Sequence, residues 1–385
     1  MLTPRFIYNE EHLMFAQSVR DFLAKEIVPH HAQWEKDKMV SRESWKQFGE
    51  AGYLCPQVDE QYGGLGLKDF RYNAIIIEEI AKLGLASEAV GYPLHSDIVC
   101  PYIEHYGTEF IKNKWLSKMV SGDAIAAIAM TEPGAGSDLQ GMRATATKNG
   151  DHYILNGSKT FITNGYLSDV CVVAAKTDPT KGAKGISLFL VESDMNGYTK
   201  GKPFDKVGLH AQDTCELFFE NVVVPVENLL GIEGEGFKYL MTELSQERLV
   251  VGLGAIGAAE GVLASTIQYT KDRQAFGKPI SELQNIRFKL AEMATEVNIG
   301  RVYTDHCVQL HLEGKLDQAA ASACKYWLSD LQCKVADECV QIHGGYGYMW
   351  EYQAARAFAD ARVQRIYAGT NEIMKELIAR RILKA

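Results

Sequence analysis

Three stretches of this sequence carry residue types that can do chemistry. The first is RLVVGLGAIGAAEG, residues 248–261, in which GLGAIG satisfies the dinucleotide fingerprint G-x-G-x-x-G, with Glu247 directly upstream. That fingerprint works between a strand and a helix, with an acidic residue about 20 positions further on. Asp272 is available, but it lies in QYTKDRQAFGKP, a polar stretch without a strand pattern. Upstream, Phe237, Leu240, Met241, Leu244 and Val251 recur at helical spacing. The glycines are therefore expected inside one long helix, where small residues let another helix or a ligand approach the backbone. The residue of chemical interest then becomes Glu247.

The second stretch, MTEPGAGSD (130–138), offers Thr131, Ser137 and backbone N–H groups. It suits either close contact with a flat polar ligand or phosphate, or a plain tight turn. GSKTFITNG is no phosphate loop, because its lysine does not follow the second glycine of G-x-x-x-x-G-K-[ST]. The third, QIHGGYGYMWEY (341–352), sets paired glycines among aromatics, as either kinked core or a platform for an aromatic ring and its phosphates. A metal site is disfavoured. The eight cysteines are scattered with no C-x-x-C, and His306 and His311, five apart, fall on different helix faces. Most of these thiols are expected to be buried in a reducing compartment.

The elements that must position these residues follow from the patterning of 385 residues, 46% apolar and 23% charged. Residues 1–122 read as helices. Leu13, Ala16, Val19, Leu23 and Ile27 form an apolar stripe ended by Pro29, and DFRYNAIIIEEIAKLG and TEFIKNKWLSKMVSG each close on glycine. Residues 123–228 read as strands: ATATKNGDHYILNGSKTFITNG with Asn-Gly turns, then VCVVAAKTD, GISLFLVES and CELFFENVVVP. Residues 229–385 return to long helices. Helices, then sheet, then helices argue against the βα alternation of a doubly wound fold. A net charge of −9 disfavours nucleic acid as a partner, and no apolar run is expected to span a bilayer. The acidic start MLTPRFIYNEEH argues against a signal peptide.

Taken together, MTEPGAGSD, GSKTFITNG, DRQAFGKPISELQ, VQIHGGYGYMWEY and IYAGTNEIMKELIARRIL occur in the order and spacing of the acyl-CoA dehydrogenase family. The sequence resembles that family over nearly its whole length, and most of all its long-chain members. The resemblance implies an α+β fold with an α-helical N-terminal domain, a β-barrel-like middle domain and a C-terminal four-helix bundle. It also implies bound FAD, an acyl-CoA substrate, an electron-transferring flavoprotein as electron acceptor, and a homotetramer built as a dimer of dimers. A bacterial cytoplasmic protein is expected, or a mitochondrial matrix one if processed.

By motif position, the resemblance assigns Met130, Thr131, Ser137, Phe161, Ile162, Thr163, Thr370 and Asn371 to the flavin. Arg273, Phe276, Gln284, Gln341, Gly344 and Gly345 fall to its adenine and pyrophosphate end, partly across a subunit boundary. Ser137, Leu244, Arg248, Tyr367, Ala368 and Gly369 fall to the substrate. Many members carry the catalytic glutamate directly before the Gly-Thr pair, where this chain has Ala368. Long-chain and isovaleryl members resemble this chain in placing the base before an arginine on the helix first considered, which makes it Glu247. As an i,i+4 surface partner Glu247 would face Val251, which gives that role little support. A base is required because the α-proton of an acyl thioester is only weakly acidic, and desolvation strengthens a carboxylate for the task. The backbone N–H of Ala368 and a ribityl hydroxyl of FAD would receive the thioester oxygen. Arg248 is either structural or orients Glu247 and the nearby loop. An isovaleryl-like branched- or short-chain dehydrogenase, an acyl-CoA oxidase with the same site, a nicotinamide enzyme resting on GLGAIG and a non-catalytic flavoprotein resting on Ala368 stay open as alternatives.

Overall fold

A computed structural model describes residues 2–383. Its first third holds helices α1 (Glu10–Phe22), α2 (Val28–Asp37), α3 (Arg42–Glu50), α4 (Arg71–Lys82), α5 (Glu88–Pro93), α6 (Cys100–Tyr106) and α7 (Glu109–Ser121). Local chemistry sets their ends. Thr108 caps α7 by accepting the Ile111 N–H, and Gly122 closes it at φ 76°. Pro29 does not end the first helical path as expected. A π-helical turn, Leu23–Ile27, carries the chain into α2, and Pro29 sits in that helix's first turn, where a missing N–H costs nothing.

The middle of the chain forms strands β1 (Ala126–Ala129), β2 (Thr145–Asn149), β3 (His152–Ile162), β4 (Val170–Lys176), β5 (Ile186–Glu192), β6 (Tyr198–Lys200), β7 (Cys215–Pro225) and β8 (Leu229–Leu230). They hydrogen-bond in the order β6-β7-β3-β2-β4-β5-β8, with β1 parallel to β4. The period of two divides β4 and β5 between two cores. Val170, Val172, Ala174, Leu188 and Leu190 face α6, α7 and the following long helix, whereas Cys171, Val173, Ala175, Phe189 and Val191 face inward. Each strand from β1 to β7 contributes to that inner cluster, so the sheet wraps around it as a barrel does.

The last part comprises α8 (Gly236–Asp272), a small hairpin of β9 (Gln274–Ala275) and β10 (Lys278–Pro279), then α9 (Gln284–Leu312), α10 (Gln318–His343), α11 (Gln353–Ala361) and α12 (Asn371–Leu383). GLGAIG lies within α8, which removes the strand that a dinucleotide turn requires. Small residues there let two helices in: a Cβ on Gly252 would meet Cys324 of α10, and one on Gly261 would strike the Lys82 carbonyl at the end of α4. By length and composition α8 could cross a bilayer, contrary to the expectation for every stretch of this chain; two-thirds of its apolar window is instead buried inside the protein.

Four segments meet at one buried ion cluster. Glu78 of α4, 1% exposed, accepts from Arg5 Nη1 at 2.6 Å and from Arg301 Nη1 of α9. Arg301 also grips Glu260 of α8 with two bonds of 2.8 Å, and Arg5 grips Asp305 with bonds of 2.9 and 2.6 Å. Burial alone would raise the Glu78 carboxyl, but Arg301 and Arg5 overcome it and hold it at about 2. Its stabilising contribution is thus complete above the ordinary carboxylate range and is lost only as pH falls toward 2. Arg301→Met, which leaves buried acids short of a partner, is expected to cost about 3–5 kcal/mol of stability. Urea midpoints compared with those of Lys315→Met, an exposed pair, check this, and equal midpoints for the two variants would refute it.

Candidate active site

Glu247 is 4% exposed on α8, packed against α6. The O–H of Tyr102, itself fully buried, donates to its Oε1 at 2.8 Å. One turn earlier on α8, Glu243 accepts from Tyr106 Oη at 2.8 Å and pairs with His105 Nδ1 at 3.0 Å. Burial is the main influence on Glu247 and pushes its carboxyl up to about 7; Glu243 adds to the rise, while the Tyr102 bond and the Arg248 charge oppose it. A carboxyl at that value is ionised in a useful fraction at neutral pH and remains a competent base. Arg248, also 4% exposed, has only a long 3.5 Å contact from Nη1 to Ser322 Oγ, and its Nε is buried without a partner among the described residues. An orphaned donor beside Glu247 is a demand that a ligand acceptor would meet.

The turn Tyr367–Asn371 is held from α10. Lys325, wholly buried, donates to the Gly369 carbonyl at 2.7 Å and to Asn371 Oδ1 at 3.0 Å. Burial, followed by the Arg248 charge, pushes this lysine down to about 8. Ala368 takes φ 51° and Gly369 φ 86°, so the turn is strained at a non-glycine residue. The Ala368 N–H has no partner among the described residues. Asn371 donates to Tyr326 O, Ser329 Oγ and Asp330 Oδ1, so both ends of its amide serve α10 and fix the turn. Tyr367 donates to Gln364 at 2.8 Å, and Thr370 Oγ1 accepts from the Ile373 N–H.

A second group gathers where β1 leaves the sheet. The Thr160 N–H donates to Thr131 O, and Lys159 Nζ donates to Met130 O at 3.1 Å and to Glu132 at 2.8 Å. Glu132 further accepts the N–H groups of Arg143 and Ala144. The bland glycine-rich loop is therefore clamped by a buried ion pair that motif reading missed, because neither Glu132, between Thr131 and Pro133, nor Lys159, between Ser158 and Thr160, has the apolar neighbours that mark a buried charge. Phe161, the penultimate residue of β3, takes φ 59° and is 68% exposed, whereas the Ile162 side chain turns into the inner core, leaving only its backbone to face outward. Thr163 is half-buried and Ser137 exposed.

A third group lies apart from both. The Arg273 guanidinium, without an ion pair among the described residues, sits 5.6 Å from the centre of the Tyr346 ring beside Gly344 and Gly345, while Gln284, Gln341 and Phe276 are exposed. A planar aromatic cofactor with phosphates fits this set. An exposed phenyl stands on strained backbone, a free guanidinium is available, and Gly134, Gly136, Gly344 and Gly345 open onto space that a Cβ would fill without contact.

Three family models match in chain order: Acyl-CoA dehydrogenase, N-terminal domain, over 9–123; middle domain, over 127–222; and C-terminal domain, over 234–383. The chain belongs to the acyl-CoA dehydrogenase family. It is 53% identical over 381 residues to the pig mitochondrial long-chain specific acyl-CoA dehydrogenase, covering 98% of this chain and 88% of that one. An acyl-CoA dehydrogenase from Geobacillus kaustophilus has a TM-score of 0.95 at 53% identity, covering 99% of this chain and all of that one. A glutaryl-CoA dehydrogenase from Mycobacterium smegmatis in complex with FADH2 has a TM-score of 0.92 at 31% identity, covering 98% and 96%.

This acyl-CoA dehydrogenase is thus an FAD-dependent oxidoreductase, with the helix, sheet, helix architecture that its sequence implies. Tyr102, Glu243 and Lys325 are the groups around Glu247 and the 367–371 turn that motif reading passed over. The four-residue spacing of Tyr102 with Tyr106 and of Glu243 with Glu247 was the available signal. For the loop clamp, Lys159→Met is expected to weaken FAD retention at least about tenfold, roughly 1.4 kcal/mol. Flavin fluorescence after dilution measures it; wild-type retention would mean that the two N–H bonds to Glu132 hold the loop unaided.

Proposed function

We propose that Glu247 removes the α-proton of a long, straight-chain acyl-CoA thioester, the committed step in making a trans-2-enoyl-CoA. The observation that carries this reading is a fully buried carboxylate near neutrality with one oxygen tied to Tyr102 and the other, Oε2, without a partner among the described residues. Leu244 one turn away, Arg248, Ser137 and the strained turn of Tyr367, Ala368 and Gly369 form the substrate side. The unpaired Ala368 N–H receives the thioester oxygen as charge builds there. FAD, when bound, accepts the β-hydrogen with its electron pair, a task that no side chain can perform. Met130, Thr131, Ser137, Phe161, Ile162, Thr163 and Thr370 would hold its ring, with Asn371 fixing the turn beside it. Likeness to the pig long-chain enzyme supports the chain length.

Electrons would then leave to an electron-transferring flavoprotein. Phe288, Ile299 and Val302 on α9 are more than half exposed, as is Phe358 on α11, and Phe276 at the hairpin tip is 91% exposed. Large apolar groups this exposed support burial in a homotetramer. In that assembly Arg273, Phe276, Gln284, Gln341, Gly344 and Gly345, gathered on one copy, would serve the adenine and pyrophosphate end of a flavin partly across the subunit boundary.

Glu247→Gln keeps shape and removes the proton acceptor. Flavin bleaching by acyl-CoA is expected to fall by roughly 10²–10⁴ while acyl-CoA still binds. In wild type the bleaching rate should rise as pH climbs through about 7, because the base must be ionised. A Gln variant bleaching at a near wild-type rate would overturn the assignment. Arg273→Ala is expected to release FAD on dilution and to loosen the tetramer. Flavin occupancy and sedimentation measure both, and an unchanged result would remove Arg273 from the cofactor site.

A further inference from the structure

Helices α6 and α8 face each other through two tyrosine–glutamate rungs four residues apart, Tyr102 with Glu247 and Tyr106 with Glu243. The outer rung is shared with His105, whose side chain is 56% exposed, so water reaches it. The inner rung is sealed, with Tyr102 at 0% and Glu247 at 4% exposure. Its phenol engages Oε1 alone. We propose that Tyr102 is a positioning residue for the reaction: by binding Oε1 it fixes the rotation of the Glu247 carboxylate and leaves Oε2 as the oxygen that accepts the α-proton.

The inference rests on Glu247 being the base. In the step itself the substrate C–H bond breaks, an Oε2–H bond forms, and the electron pair stays on the substrate carbon. The Tyr102 bond persists throughout, but it weakens as Oε1 changes from a carboxylate oxygen to a carbonyl oxygen, because hydrogen bonds to charged acceptors are the stronger ones. Tyr102 therefore favours the ionised base, so the bond that orients the carboxylate also keeps it working at lower pH.

The other charges around Glu247 are arranged differently. Glu243 and Arg248 flank it on α8 and act in opposite directions. Farther out, His311 at the end of α9 faces Glu243, and Lys325 of α10 faces Arg248. Among the described residues only Tyr102 donates a hydrogen bond to the base.

The test uses the FAD-loaded enzyme. Tyr102→Phe should move the acid limb of acyl-CoA-driven flavin bleaching upward by about one to two pH units, the loss of one hydrogen bond to a charged group. At high pH, where the base is fully ionised, the rate should level off below wild type because the carboxylate has lost its fixed rotation, with little change in KM. A second readout needs no turnover: infrared titration of the buried carboxyl C=O stretch, assigned by its disappearance in Glu247→Gln, should shift in the same direction. Should the Phe variant fold poorly, 3-fluorotyrosine in place of Tyr102, a stronger donor of nearly the same size, should shift both titrations downward. Coincidence of both titrations with wild type, or a full wild-type rate once the base is ionised, would overturn the proposal. If Glu247→Gln stays active while the infrared band still shifts in the Tyr102 variant, the base assignment fails and the tie between Tyr102 and Glu247 stands.

Discussion

A carboxylate stripped of water is unstable unless something nearby favours its charge, and this protein keeps Glu247 buried with one hydrogen bond to its credit. Much of the surrounding architecture serves that condition. The helix carrying Glu247 is enclosed on several sides, by α4 and α10 along its glycines and by α6 at Glu247 itself. A second acid one turn away adds its repulsion and an arginine one residue on relieves part of it. The outcome is a group balanced between two protonation states, which would be a defect in an ordinary core and is a requirement for a proton acceptor at neutral pH.

Two loops of the candidate site are set by the same device, a buried lysine reaching from a rigid element. From β3, Lys159 holds Met130 and Glu132; from α10, Lys325 holds Gly369 and Asn371. A buried charge contributes little net stability once desolvation is counted, but it fixes geometry, because a misplaced partner leaves it uncompensated. Placing loops in this way suits a site assembled from separate parts of the chain, where errors of about 1 Å matter.

Local pattern carried a large part of the fold. The spacing of Phe237, Leu240, Met241, Leu244 and Val251 marked one long helix through GLGAIG, and the structure has it as α8. Turn residues and β-branched runs marked the strands of the wrapped sheet. Local reading failed where the outcome depended on partners distant in sequence. Pro29 looked like a stop because the π-helical turn before it leaves no local signature. The apolar stretch of α8 is long enough to cross a bilayer, and nothing in its own sequence shows that α4 and α10 cover it instead. Motifs indicated Glu247 and the glycine-rich loop, but Tyr102 lies 145 residues from its glutamate and Lys325 44 residues from Gly369. No periodicity links such pairs, although the matched four-residue steps of the tyrosines and glutamates hinted at facing helices. Asn371 belonged to a cofactor motif, yet its amide is occupied by α10.

The buried ion cluster also constrains the order of events during synthesis. Arg5 emerges first, but its acid partner Asp305 lies 300 residues later, and Arg301, the second cation on Glu78, follows Glu78 by 223 residues. While the chain grows, Glu78 can meet Arg5 and Lys82 but lacks Arg301, so the cation that ties Glu78 of α4 to Glu260 of α8 is missing from their interface. Domains otherwise tend to fold in the order they are made. Here the first helices cannot reach their final electrostatic state until α9 has left the ribosome. A nascent chain truncated before residue 301 should thus carry a loosely docked N-terminal region with α4 and α8 exposed, a form that chaperones would engage and that a stalled or nonsense-truncated product would retain.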